Sequence, residues 1–220
     1  MRSALAEVVA ATAVMALLLA IGEWSAASGE VGAQVGGLLV AAGFIGVPLA
    51  VARWNRRNGD VLAVDPPLWP AIALGAITAA VVLPMYALGF DVWHVHVLAK
   101  LRVPHWPEIG AVAENMLVQV GAVALPEELF FRGYVLGRLR DQWPAQRQVL
   151  GVPFGLAAVI SAALFAAVHL VAVPAPFRLL VFFPGLLFGW VALRSGSAIS
   201  AAVLHALCNV ALSILTKMYV

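Results

Sequence analysis

Seven apolar runs, each close to the length that crosses a bilayer, fill most of this chain and leave it few folds to adopt. A spanning helix needs roughly 20 predominantly apolar residues. Residues 4–26, 32–52, 68–90, 109–131, 153–173, 177–194 and 197–217 each come near that length. Inside lipid every backbone N–H and C=O must find a partner within the chain, so such runs become helices. Pro67, Pro153, Pro174 and Pro176 fall at their boundaries, while Asn58-Gly59-Asp60 and Gly196 mark turns. The chain is 63% hydrophobic and 11% charged, against about 45–50% and about 25% for a soluble domain. The expected fold is an all-α integral membrane protein of about seven transmembrane helices, with an eighth span as the alternative. A single polytopic domain over residues 1–220 accounts for every run.

The first run follows Arg2 and ends near Ser25-Ala26-Ala27, like a signal peptide. It is longer than a signal core of about 7–15 residues and is read as a first span. Basic residues then orient the chain. With the N-terminus inside, Arg2, Arg53, Arg56, Arg57, Arg138, Arg140, Arg147 and Arg194 lie on the cytoplasmic side. Lys100, Arg102, Arg178 and Lys217 lie outside. The Ala, Val, Leu and Gly bias points to a bacterial inner (cytoplasmic) membrane. Trp24, Trp54, Trp69, Trp93, Trp106 and Trp143 sit near span ends, as an aromatic belt requires. The formal charge is only +2 and no basic block occurs, so nucleic acid is not an expected partner. Membrane lipids and a membrane-associated protein or peptide are.

Residues 91–107 are too polar to span and read as an interfacial segment. His94 and His96 alternate with valines there, with His105 nearby. A metal site is the weaker expectation for them, because interfacial histidines need no ligand. The single cysteine, Cys208, forms no internal disulfide and reads as a packing residue.

The costly feature lies in the fourth run, Leu125-Pro126-Glu127-Glu128-Leu129-Phe130-Phe131-Arg132. Each ionisable group in a spanning helix costs roughly 2.5–3.5 kcal/mol on insertion scales. Glu128 and Arg132, at i and i+4, share a face and can pair. Glu127 is rotated by about 100° and remains free. Pro126 removes a backbone donor and can bend the helix. His169 lies late in the fifth run, four residues after Phe165, which reads as a cavity wall. His205 and Asn209 share a face of the seventh. Asn115 and Gln119, another i, i+4 pair, can serve as ordinary helix glue. Glu7, Glu23, Glu108 and Glu114 lie near span ends, where a polar head reaches water. Ionisable groups in lipid face the bundle interior, so the six polar residues of the later helices are expected to converge on one cavity. A carboxylate and an imidazole can share the deprotonation of a water. A second His and an Asn can donate to an oxyanion.

Glu127-Glu128-x-x-x-Arg132, Phe165-x-x-x-His169 and His205-x-x-x-Asn209, in that order, resemble the CPBP family. It comprises CAAX prenyl proteases and bacteriocin-processing or self-immunity (Abi) proteins, with a myxosortase branch. The resemblance implies CPBP-like catalytic helices over residues 108–217 and a variable N-terminal segment over residues 1–107. It implies an intramembrane endopeptidase in which Glu127 and His169 activate water. His205 and Asn209 would then hold the oxyanion, and Glu128 and Arg132 support them. No cofactor is favoured. Zinc on Glu127, His169 and His205 is the alternative, disfavoured because no His-Glu-x-x-His helix is present and Asn209 is a poor zinc ligand. A non-catalytic immunity or regulatory protein and a proton-coupled transporter are the competing functions. Depth decides whether the site can assemble. If the fourth helix stops at residue 131, Glu127 and His169 fall in opposite membrane halves. A fourth helix bent at Pro126 and continuing to about Arg140 would bring them level.

Overall fold

The computed structural model describes residues 3–57, 59–103 and 107–220. Arg2, Asn58, His105 and Trp106 lie outside the described residues, as do the expectations that rest on them. All seven runs are helical. They are α1 (Ala4–Ala26), α2 (Glu30–Trp54), α3 (Leu68–Val97), α4 (Ile109–Gln142), α5 (Leu156–Ala172), α6 (Pro176–Ser195) and α7 (Ala198–Thr216). Among the described residues, six are long and apolar enough to cross a membrane; α5, with 17 residues, is shorter. At 1.5 Å per residue it extends about 25 Å. The chain is an all-α integral membrane protein.

The helices alternate in direction, and contacts between loops identify the two ends. At one end Leu5 N–H donates to Gln142 Oε1, and Ala198 N–H donates to Ala63 O. Arg53, Arg56, Arg57, Arg138, Arg140, Arg147 and Arg194 gather at this basic end. A two-residue hairpin, β1 (Gln148–Val149) with β2 (Val152–Pro153), closes the loop before α5. Its turn residues Leu150 and Gly151 both have positive φ, the geometry that matches strand twist. At the other end Val103 N–H donates to Met218 O, while Leu101 and Val220 exchange a pair of backbone hydrogen bonds.

The segment expected to lie at the interface is partly a continuation of α3. A π-helical turn, Trp93–Val97, carries His94 and His96. His94 stacks on Phe90 at 3.9 Å between centroids, and its Nδ1–H donates to Phe90 O. Trp24, Trp54, Trp69 and Trp93 are exposed at helix ends, where an aromatic belt meets the headgroups.

Side chains such as Leu17, Leu38, Ile77 and Leu117 point outward, as lipid contact requires. The packed core gathers around the second half of α4. Phe130, Phe131, Tyr134, Leu136 and Leu139 bury themselves against Phe44, Phe165, Phe188 and Leu204. The first turns of α4, Ile109–Val118, bury nothing.

Helix α4 runs unbroken past Arg140, as the depth of Glu127 required. Its irregularity around Pro126 takes a specific form. A π-helical turn precedes the proline (Gln119–Ala124) and another follows the glutamates (Leu129–Val135). Proline has no N–H to give to the carbonyl four residues back, and a π turn absorbs such a local mismatch by admitting one extra residue. The π turn also changes which side chains face together. In a regular helix, Gln119 and Glu128 would lie about 180° apart. One extra residue per turn reduces this to about 80° and brings Glu127 within about 20° of Gln119.

One polar group near a span end behaves differently from expectation. Glu7 was expected to reach water. Instead its carboxylate, 9% exposed, is enclosed at the basic end. Arg57, Asn55, Arg138 and the Tyr134 hydroxyl all donate to it. The reason is proximity: α1 packs between the end of α2 and the last turns of α4, whose arginines need an acceptor. Glu23, Glu108 and Glu114 are exposed.

Candidate active site

An ionic core sits where α4 meets α6 and α7. Glu128 Oε1 accepts from Arg132 Nη1 at 3.0 Å and from His205 Nδ1 at 2.9 Å. Glu128 and Arg132 are fully enclosed, with side chains 0% and 1% exposed. The guanidinium also donates through Nη2 to Gly185 O at 2.9 Å. A Cβ on Gly185 would stand 3.3 Å from that nitrogen and 3.2 Å from Phe165, so a larger residue would push the arginine or the ring back by a few tenths of an ångström. The Arg132 guanidinium carbon lies 4.3 Å from the Phe165 ring centroid and 5.4 Å from that of Phe188. Cation–π contact there offsets some of the cost of burying the charge.

The Glu128–Arg132 pair thus forms as the helical spacing requires. His205 has a partner that the spacing did not reveal. It faces the buried carboxylate, stacked on Phe188 at 4.9 Å between centroids. Glu128 has no proton to give while it accepts from Arg132, so His205 Nδ1 carries the hydrogen. The tautomer then leaves a lone pair on Nε2. A neutral His205 therefore cannot donate to an oxyanion through Nε2. Only its imidazolium form can, with Glu128 as counter-ion.

Phe165 is a hub, beyond the cavity wall that its position suggested. Its ring centroid lies 4.5 Å from that of His169, 5.8 Å from that of His205 and 5.2 Å from that of Phe131. Through it, His169 on α5 lies one ring away from both the arginine and the second histidine. His169 Nδ1–H donates to Phe165 O at 2.8 Å, and this too leaves a lone pair on Nε2. Ser161, two turns before His169, donates to Phe131 O at 2.8 Å and ties α5 to α4.

Glu127, His169 and Asn209 are only partly buried, in contrast with the sealed core. Glu127 Oε2 is enclosed and has no hydrogen-bond partner among the described residues. The same holds for Glu128 Oε2, so each of the adjacent carboxyl groups keeps lone pairs without a partner among the described residues. Asn209 Nδ2 donates to Gln119 Oε1 at 2.8 Å, and one turn further along, Asn115 Nδ2 donates to Ser213 Oγ at 2.8 Å. Asn115 and Gln119 thus both bond across to α7, as helix glue does, and the partner of Gln119 is itself a residue of the site. The clue was the spacing from Gln119 to Glu128, which places them on opposite faces unless a π turn intervenes.

Zinc would need Glu127, His169 and His205 as one ligand set. Among the described residues, no three His, Cys, Asp or Glu side chains are grouped so as to hold a metal ion. The proposed trio of His94, His96 and His105 includes a residue outside the described ones.

Residues 109–211 match the family described as Type II CAAX prenyl endopeptidase Rce1-like. That segment contains all six polar residues of the site. No curated protein and no solved structure matches the chain. The apolar helices identify a multi-pass membrane protein, and its residues 109–211 are similar to a CAAX-type intramembrane endopeptidase domain.

Proposed function

We propose that the chain hydrolyses a peptide bond near a membrane-associated or C-terminal segment of a protein or peptide, using Glu127 and His169 to activate a water. The reading rests chiefly on the contrast between a sealed ionic core and a partly open set of reactive groups beside it. Glu127 takes a proton from water, with His169 Nε2 accepting a hydrogen bond from the same water and orienting it. The hydroxide adds to the scissile carbonyl. His205, as imidazolium over the Glu128 carboxylate, and the Asn209 amide donate to the oxyanion that forms. When the tetrahedral adduct collapses, the C–N bond breaks and the proton held by Glu127 passes to the leaving amine. Glu128 and Arg132 set the position and charge of His205 without touching substrate.

The chemistry is glutamate-type and uses no metal. Stoichiometric zinc in the purified protein, with activity lost after stringent chelation, would overturn that assignment. The catalytic helices take up residues 108–217, and the N-terminal segment, residues 1–107, varies around them. The protein is placed in a bacterial inner membrane with the basic end, and so the N-terminus, in the cytoplasm. Cleavage of internally quenched membrane peptides by the purified protein provides the test. Wild type should cleave, and Glu127→Ala and His169→Ala should not. Full biological activity in Glu127→Ala would favour a non-catalytic regulatory role.

A further inference from the structure

We infer that Gln119 is a positioning residue, which orients the Asn209 carboxamide for the oxyanion; the inference rests on the hydrolytic reading above. Three polar pairs link α4 to α7: Asn115 with Ser213, Gln119 with Asn209 and Glu128 with His205. On α7 the partners fall at residues 205, 209 and 213, which lie on one face at regular helical spacing. On α4 they match only because the π turn Gln119–Ala124 starts at Gln119 itself. Without that turn Gln119 would point about 180° from Glu128 and could not reach α7. The irregularity thus serves to place one carboxamide against another. π turns occur often at functional sites for this kind of reason.

The bond has a chemical consequence. Asn209 has two N–H donors on one nitrogen. Gln119 Oε1 takes one of them and so fixes the plane of the group. The second N–H is then held in one direction. A freely rotating carboxamide would lose orientation each time an oxyanion forms. A fixed one needs no reorganisation, and that is the condition for strong transition-state stabilisation. Gln119 itself touches neither water nor substrate in this scheme.

Three variants separate the role from simple packing. Gln119→Met keeps the volume and removes the acceptor. Gln119→Glu keeps an acceptor oxygen at the same reach. Asn209→Ala removes the donor. Without any substrate, the side-chain amide signal of Asn209 in 15N-labelled protein should show one slowly exchanging proton, the one held by the residue 119 acceptor, in wild type and Gln119→Glu. In Gln119→Met that protection should disappear. An unchanged signal in Gln119→Met overturns the inference. With a quenched peptide that the wild type cleaves, Asn209→Ala should lower kcat by about 10²–10³-fold. Gln119→Met should lower kcat by about 10²-fold with KM unchanged, and should add nothing further in the Asn209→Ala background. Gln119→Glu should stay near wild type. If Asn209→Ala lowers kcat and Gln119→Met does not, or changes KM alone, the positioning role fails and the hydrolytic reading stands. If Asn209→Ala itself leaves kcat unchanged, the oxyanion assignment fails, and the inference with it.

Discussion

Replacing Arg132 with Met tests whether the buried ion pair holds the bundle together. The substitution roughly preserves the packing volume against Phe165 and Phe188. It removes the guanidinium 3.0 Å from Glu128 Oε1 and the donor to Gly185 O. Glu128, fully enclosed, is then a buried carboxylate with His205 as its one remaining donor among the described residues. Breaking such a pair on one side costs about 3–5 kcal/mol. The double variant Glu128→Gln/Arg132→Met behaves differently. The glutamine is neutral and still offers Oε1 to His205. Replacing both members of a buried pair is often close to neutral, so the double variant should lie within about 1–2 kcal/mol of wild type. It should therefore be more stable than Arg132→Met alone. Reversible unfolding in mixed micelles with a denaturing detergent, followed by tryptophan fluorescence, measures both. A cost below about 1 kcal/mol for Arg132→Met would mean that water reaches Glu128 and that the core is not sealed. A double variant less stable than Arg132→Met alone would refute the charge-burial reasoning outright.

Glu127→Gln should remove peptide cleavage while leaving unfolding stability at or slightly above wild type, since an enclosed carboxylate oxygen without a partner among the described residues is neutralised. Glu7→Gln should cost about 1–3 kcal/mol in the same unfolding assay, because a carboxylate that accepts from two arginines and Tyr134 is lost. At the opposite end, the hydrogen bond to Asp91 holds the Tyr219 phenol above its ordinary pKa of 10.0. A raised folded pKa gives stability that is complete below pH 10.0 and lost as the pH rises through the folded value. Absorbance at about 295 nm should therefore show Tyr219 ionising above pH 10.0, and Tyr219→Phe should remove its share of the titration.

The sequence carried much of this site in readable form. Apolar run length revealed all seven helices because lipid forces each run to satisfy its own backbone. The i, i+4 spacing of Glu128 and Arg132 anticipated their contact, since both lie in one helix and need no tertiary information. The cost of charge in lipid pointed to His169 and His205 as interior residues. What could not be read depended on phase and partnership between helices. The π turn at Gln119–Ala124 changes the direction of every side chain before Glu127 by about one residue's rotation. Pro126 favours an irregular turn, but nothing in the composition Gln-Val-Gly-Ala-Val-Ala fixes where it starts. The Glu128–His205 contact joins residues 77 positions apart and depends on how α4 and α7 cross. Glu7 misled for a related reason: its depth near a span end suggested water, whereas the arginines of two other segments reach it first.

Glu127 and His169 are assigned one shared water, and a kinetic double-variant cycle on these two residues examines that directly. The quantities are single-turnover cleavage rates of Glu127→Ala, His169→Ala and the combined variant, each confirmed folded by its unfolding transition. Groups that act on one water are strongly non-additive. Each single variant should lose about 10²–10⁴-fold, and the combined variant should be no slower than the slower single one. Losses that multiply, or a wild-type rate in either single variant, would show that the two residues do not act on the same water.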